Sequence, residues 1–189
     1  QALAALSAAA AAVPAVRAQG KPEKTKLVIA VGGKSTFYYL PLTIAEQLGY
    51  DVTVIDHRVR PHRQDIKFED IDLMDLSSVV AATKGAEHIF HLAAVSNVNY
   101  AYKYPVYSTA LNVLGTTHIL EAARVHGTKR VHLASTVWVY NGAANGKVVD
   151  ETVPFHLESA GHIYTSSKMA AEMLCHNSLQ LYQVPFTIL

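Results

Sequence analysis

A chain of 189 residues, 50% hydrophobic and 16% charged, carries enough apolar material for one buried core, since domains run to roughly 100–200 residues. A net charge of +1 offers no global attraction to a phosphate backbone, so no nucleic-acid partner is implied. The single Cys175 has no second thiol in this sequence with which to form a disulfide, and its neighbours Ala171, Met173 and Leu174 read as helix packing.

In chain order, residues 1–26 differ in composition from all that follows. Ala2 to Val16 is nearly all alanine, broken by Leu3, Leu6, Ser7, Val13 and Pro14. The run is shorter than the roughly 20 residues a bilayer requires, so no transmembrane span is predicted. Its Ala, Ser and Arg content without acids fits a plastid or mitochondrial transit peptide. It fits equally a helical or flexible extension of a cytoplasmic protein. Residues 27–189 form the second segment, a single domain. Leu27–Val31 reads as a buried strand, Phe37–Leu48 as a helix and Val52–Ile55 as a second strand. Phe68–Asp72 suggests a third strand, Leu76–Thr83 a helix and Ile89–Leu92 a fourth strand. Ser96, Val98, Tyr100, Tyr102 and Tyr104 then read as an exposed loop packed by aromatics. A long helix over Tyr107–Val125 closes at His126-Gly127. Arg130–Ala134 is the fifth strand, Tyr164–Tyr182 a helix spaced by Met169, Met173 and Leu174, and Pro185–Leu189 the start of a sixth. Strand followed by helix at these intervals predicts an α/β fold, a doubly wound open parallel sheet.

Several residues carry candidate chemistry. Gly32 and Gly33 end the first strand where a phosphate-binding turn would lie, or where any strand-to-helix turn would. Asp56 ends the second strand, where a carboxylate can accept hydrogen bonds from both ribose hydroxyls of an NAD-type nucleotide. Arg58 and Arg60 follow it, and either guanidinium could pair with a 2′-phosphate. A strand-end Asp in a surface turn is the plainer alternative. Tyr164 and Lys168 stand four apart on one helix face, so the ammonium can approach the phenol. A free tyrosine titrates near ~10, and a nearby cation lowers that value toward neutrality. The same spacing also fits a packed tyrosine beside a solvated lysine. The ten histidines lack a metal-ligand spacing with Cys or Glu, so no metal is predicted.

The ordered motifs resemble the extended short-chain dehydrogenase/reductase family, in its nucleotide-sugar epimerase/dehydratase branch. They are AVGG at 30–33, VTVID at 52–56, DLMD at 72–75, HLAA at 91–94, NVLGT at 112–116, LEAARVHGTKRVHLAST at 120–136 and YTSSK at 164–168. The resemblance implies a Rossmann fold, NAD in preference to NADP, and a nucleotide-sugar substrate. It implies cofactor contacts at Gly32, Gly33, Ser35, Asp56, Arg58, Asp75, Leu76, Ala93, Ala94, Ser135 and Lys168. Asp75 and Leu76 would lie beside the adenine, although Asp75 would serve equally as a helix cap. Tyr164 would exchange the proton with a substrate hydroxyl or carbonyl, and Thr136 would hydrogen-bond the same oxygen. Lys168 would hold the nicotinamide ribose, and Ser135 would support Thr136. Ser96, Val98 and the tyrosines 100, 102 and 104 would fall beside the substrate cleft. The family's substrate lobe would follow Leu189, so the domain is expected to be a truncated one. Pairing through Tyr107–Val125 and Tyr164–Tyr182 would give a homodimer.

The family's glycine spacing, G-x-x-G-x-x-G counted from Gly32, puts Ser35 and Tyr38 where glycines belong, and Pro41 follows. Each glycine has a steric reason, and side-chain bulk with a disturbed helix start weakens phosphate binding. A second expectation therefore stands beside the enzyme: a non-catalytic Rossmann subunit of a larger, organellar assembly. If a dinucleotide binds, NAD is predicted to bind more tightly than NADP, and replacing both Ser35 and Tyr38 by glycine should tighten it further. Calorimetric titration of the complete protein before and after replacement checks this. Tight binding by the unaltered chain would contradict the steric argument.

Overall fold

A computed structural model of the chain describes residues 26–30, 45, 47–57, 65–144, 148–150 and 152–189. The Ala-rich extension, Gly32, Gly33, Ser35, Tyr38, Pro41, Arg58, Arg60 and most of the helix expected at 37–48 lie outside them.

Six strands form one sheet: β1 (Lys26–Ala30), β2 (Asp51–Asp56), β3 (Lys67–Asp70), β4 (His88–His91), β5 (Arg130–Leu133) and β6 (Phe186–Ile188), in the order β3-β2-β1-β4-β5-β6. Every neighbouring pair is parallel, with Val28 opposite Thr53 and Ile89, and Val131 opposite Phe186. This is the doubly wound sheet expected from the sequence. Strand order reverses between β1 and β4, and in such sheets the crevice beyond the carboxyl ends at that reversal is where ligands bind.

Strand alternation sorts the core into two layers. On one face Ile55, Ile89, Val131 and Leu133 pack against α1 (Leu76–Ala82), α4 (Gly115–His126) and α6 (Ile163–Tyr182) through Val79, Ile119, Ala122, Ala171 and Cys175. On the other, Val52, Val54 and Ile66 meet Phe68 and Phe90, with helical Ala45 against them. A parallel strand with neighbours on both edges is buried on both faces, which is why β2 is buried without interruption from Val52 to Ile55, Thr53 included.

The segment after β4 differs from the expectation of a loop. Val98–Lys103 is a short helix, α2, because the Asn97 side chain accepts from the Tyr100 amide at 2.9 Å and caps it. The long helix that follows starts earlier than predicted, at Pro105, a residue with no N–H to leave unpaired at a helix start. It runs as α3 (Pro105–Thr109), a π-helical turn over Ala110–Leu114, and then α4. Gly127, at φ 62°, ends α4 in the left-handed conformation. A 3-10 turn over Val137–Tyr140 and the short α5 (Asn141–Ala144) link β5 toward α6.

Helix α6 ends on Gln183 at φ 57°, in the left-handed region that costs an ordinary side chain about 1–2 kcal/mol. Gln183→Gly should raise the unfolding free energy by about 0.5–1 kcal/mol, the gain being trimmed by the entropy of the unfolded glycine. Urea unfolding checks it, and a loss of stability would show that the Gln183 side chain contributes more than its backbone costs.

Candidate active site

β5 delivers the Ala134–Thr136 segment and α6 delivers Lys168 to the carboxyl edge of the sheet, with Tyr164 one helical turn before the lysine. Beyond Leu133 the chain continues as Ala134-Ser135-Thr136, pinned by Ala134 N–H to His91 C=O at 3.1 Å and Ser135 N–H to Leu189 C=O at 2.9 Å. The Thr136 hydroxyl oxygen caps the 3-10 turn through a long 3.4 Å contact from the Trp138 amide. One turn inside α6, Lys168 Nζ donates to Ala134 C=O at 2.7 Å and lies 6.0 Å from the Tyr164 ring centroid. The ammonium is 4% exposed, and burial pulls its pKa down to about 8, with Glu172 opposing the shift. Neutral-pH Lys168 is therefore still largely charged, and two of its three N–H groups remain beyond the one given to Ala134.

The start of α6 is tied to the same turn. His162 caps the helix, its Nδ1 accepting from the Thr165 amide at 3.2 Å. Its ring packs 4.5 Å from Trp138 and 6.2 Å from Tyr164, centroid to centroid. An aromatic row thus connects the turn that begins at Thr136 to the phenol. Beside this edge lies a cleft of about 1240 Å³ walled by Thr136, Tyr140, Asp150, Glu172, His176 and Leu189 among others, and neither Tyr164 nor Lys168 lines it.

Behind the pair sits a buried polar chain. Asn112, 2% exposed and within the π-helical turn, accepts from Val95 N–H at 2.7 Å and donates to Val95 C=O at 3.2 Å and to Ser167 Oγ at 2.9 Å. It ties the loop after β4 to α6 beside Lys168. Thr116 donates to Asn112 C=O at 2.6 Å, so its oxygen accepts from His91 Nε2–H at 2.9 Å. His91 is consequently the Nε2 tautomer. Burial, with Lys168 adding to it, pushes its pKa down to about 3.

On the far side of the strand-order reversal, a cavity of about 210 Å³ is lined by Ile55, Asp56, Asp72, Leu73, Ala93 and Ala94 together with four other residues. Asp56 accepts the His57 amide at 2.7 Å, and partial burial raises its carboxyl to about 6. His57 Nδ1 stands 3.2 Å from Asp70, holding the acidic strand ends together. Asp56, Ala93 and Ala94 therefore share this cavity. Asp75 and Leu76 do not line it. Asp75 caps α1, accepting Ser77 N–H at 3.0 Å and the Ser77 and Ser78 hydroxyls, which hold its carboxyl near about 2. Asp72-Leu73, three residues earlier, take the place assigned to Asp75-Leu76, because the chain leaves β3 at Asp70 and turns before the helix begins. The acid-Leu pair occurs twice in succession, at 72–73 and 75–76, and only the start of α1 separates cavity wall from cap.

Ser135 does not stand free beside Thr136: its hydroxyl donates to Glu172 on α6. Sequence reasoning passed over Glu172, although its place four residues after Lys168 on the same face marks it. It also left Asn112 without a role inside its motif. Ser96 and the tyrosines 100, 102 and 104 are exposed, and none of them lines either cavity described above. Among the described residues no cluster of three metal-ligating side chains occurs, and no helix is long and apolar enough to cross a membrane.

Sheet, strand-order reversal and the Tyr-Lys helix define a Rossmann-type domain of the short-chain dehydrogenase kind. Residues 42–189 match the model of the NAD dependent epimerase/dehydratase family, and the chain belongs to that family. A dTDP-glucose 4,6-dehydratase of Mycolicibacterium smegmatis is 29% identical over 160 residues, covering 79% of this chain and 47% of its own length. A UDP-glucose 4-epimerase of the same organism is 34% identical over 123 residues, covering 62% of this chain and 38% of its own. Among solved structures, the Thermus thermophilus UDP-glucose 4-epimerase complex with NAD superimposes with a TM-score of 0.75 at 26% identity, over 86% of this chain and 53% of that one. The chain spans about half or less of the length of these relatives.

His91 gives this arrangement a pH signature. Its native pKa, about 3, lies below the ordinary 6.5, so the unfolded state takes up a proton that the folded state refuses. The stabilisation is complete above about pH 6.5 and is lost as pH falls toward the native value, by about 1.4 kcal/mol per unit while one proton separates the states. A His91→Asn variant should show a shallower fall of unfolding free energy between about pH 6 and pH 4. Parallel curves for the two proteins would mean that His91 ionises in the folded state.

Proposed function

We propose that this chain is the dinucleotide-binding and proton-transferring part of an NAD-dependent oxidoreductase acting on a nucleotide sugar, of the epimerase/dehydratase type. The observation that supports the reading is the α6 face that carries Tyr164 one turn from Lys168 and sets Lys168 against Ala134 at the end of β5. Asp56 and the small Ala93 and Ala94 suit an adenosine: a carboxylate for ribose hydroxyls and no side-chain bulk where the ring would lie. That carboxylate disfavours a 2′-phosphate by charge, which supports NAD over NADP. A nicotinamide bound along this edge supplies the acceptor and donor of hydride.

The chain's own residues handle the proton. Lys168, charged and largely desolvated, favours the phenolate of Tyr164, which takes a proton from a sugar hydroxyl or returns one to a carbonyl at the phenol oxygen. Thr136 sits at the strand end, where its hydroxyl can hold the same substrate oxygen. Packing of the Trp138 and His162 rings orients the phenol. The cleft walled by Thr136 and Tyr140 takes the sugar portion of the substrate.

Tyr164→Phe in the full-length protein should lower kcat by about 10²–10⁴-fold, with NAD affinity nearly unchanged, because only the proton-transferring oxygen is removed. Steady-state turnover of UDP- and dTDP-hexoses, with calorimetric NAD titration alongside, measures both. Undiminished turnover would remove Tyr164 from the chemistry, and absence of NAD binding would favour a non-catalytic subunit.

A further inference from the structure

Helix α6 carries a third ionisable group on the face of Tyr164 and Lys168. Tyr164, Lys168, Glu172 and His176 recur at intervals of four and so lie in one row. Glu172 is 5% exposed although it is an acid, and acids are almost never so deeply buried without a partner. Its carboxylate accepts the Ser135 hydroxyl. One turn earlier Lys168 donates to Ala134 C=O at 2.7 Å. Two consecutive residues of the strand end are thus held by two consecutive turns of one helix, and Thr136 follows directly.

The pair also solves an electrostatic problem. A buried ammonium with a carbonyl as partner is hydrogen-bonded but not neutralised, and a buried unpaired charge is costly. From β4, His91 is held neutral and brings no negative charge. From β5 come the Ala134 carbonyl and the Ser135 hydroxyl, and from the π-helical turn the neutral Asn112. Glu172 is the acid whose charge opposes the effect of burial on Lys168; burial raises Glu172's own carboxyl above the ordinary value, while the Ser135 hydroxyl, His176 and Lys168 pull it back toward the charged form.

We infer that Glu172 is a positioning residue for the reacting pair: its carboxylate is the counter-charge of the buried Lys168 ammonium and the anchor of Ser135, so that one side chain sets both the charge of the lysine and the place of Thr136. The inference rests on Tyr164 and Lys168 being the reacting pair, as proposed above. Glu172 touches no reacting atom in this scheme and acts through its neighbours.

The test reads Lys168 directly, without turnover. The full-length protein is labelled with 13Cε-lysine, the Lys168 signal is assigned by its loss in Lys168→Met, and its pH midpoint is followed by NMR. Glu172→Gln should lower that midpoint by about one unit, a tenfold loss of proton affinity, whereas Glu172→Asp should recover most of it and Ser135→Ala should leave it nearly in place. Where the glutamine variant is unstable, Glu172→Met, which suits apolar surroundings, should give the same downward shift. In active protein the pH profile of kcat should move with the lysine midpoint. An unmoved Lys168 midpoint in Glu172→Gln or Glu172→Met overturns the inference, and it does so whether or not the protein turns over a nucleotide sugar. An inactive protein with a shifted midpoint would instead count against the proposed reaction alone.

Discussion

The hydrogen bond from Lys168 Nζ to Ala134 C=O is the contact on which the site depends. It requires that β5 end at Leu133, that α6 cross the sheet edge at the height of that end, and that the ammonium be taken out of water. Each requirement is met by apolar packing elsewhere: Val131 and Leu133 are fully buried beneath α6, and Ala171 and Cys175 let the helix lie close. Close approach is what buries Lys168, and burial is what brings its proton affinity near neutral pH. The geometry of the candidate site is therefore a product of the core, through ordinary close packing.

The polar interior around it is arranged to leave few groups unpaired. Asn112 satisfies three backbone or hydroxyl groups at once, and the π-helical turn that holds it widens the helix at that point. Bulges of this kind lie at functional sites because an extra residue re-aims the side chains around it. His91 and Thr116 extend the chain of bonds toward β4, so the loop after β4 and the start of α6 are coupled through hydrogen bonds as well as contact. Nδ1 of His91 is the exception, a buried acceptor without a partner. A protonated ring there would face the Lys168 charge in a dry interior, which is why it remains neutral.

The two cavities lie beside the ends of different strands. The smaller is lined by residues at the ends of β2 and β4 and in the turn after β3, with Asp56, Asp72, Ala93 and Ala94 among them. The larger is walled by the turn after β5, by α6 and by the end of β6. Strand order separates them: β2 lies beyond β1 on one side and β5 beyond β4 on the other, the reversal beside which ligands bind in such sheets.

Period and order were legible in the chain. Short strand-like segments alternating with stretches of helical spacing sufficed for the parallel sheet, because strand followed by helix at such intervals is the pattern of crossovers between parallel strands. The Tyr164–Lys168 spacing placed both side chains on one face of a helix, and Asp56 at a strand end, for the same reason of backbone geometry. Local sequence was insufficient wherever two equivalent choices lay side by side. Asp72-Leu73 and Asp75-Leu76 are the same dipeptide in chemical terms, and only the point at which α1 begins makes one a cavity wall and the other a cap. Glu172 and Asn112 took their roles from partners 37 and 55 residues away, Ser135 and Ser167 respectively. Spacing along a helix can say that Lys168 and Glu172 share a face. Which strand end that face meets, and hence which carbonyl and which hydroxyl they hold, is decided by tertiary packing, since hydrogen bonds between distant segments exist only once the sheet and α6 have been brought together.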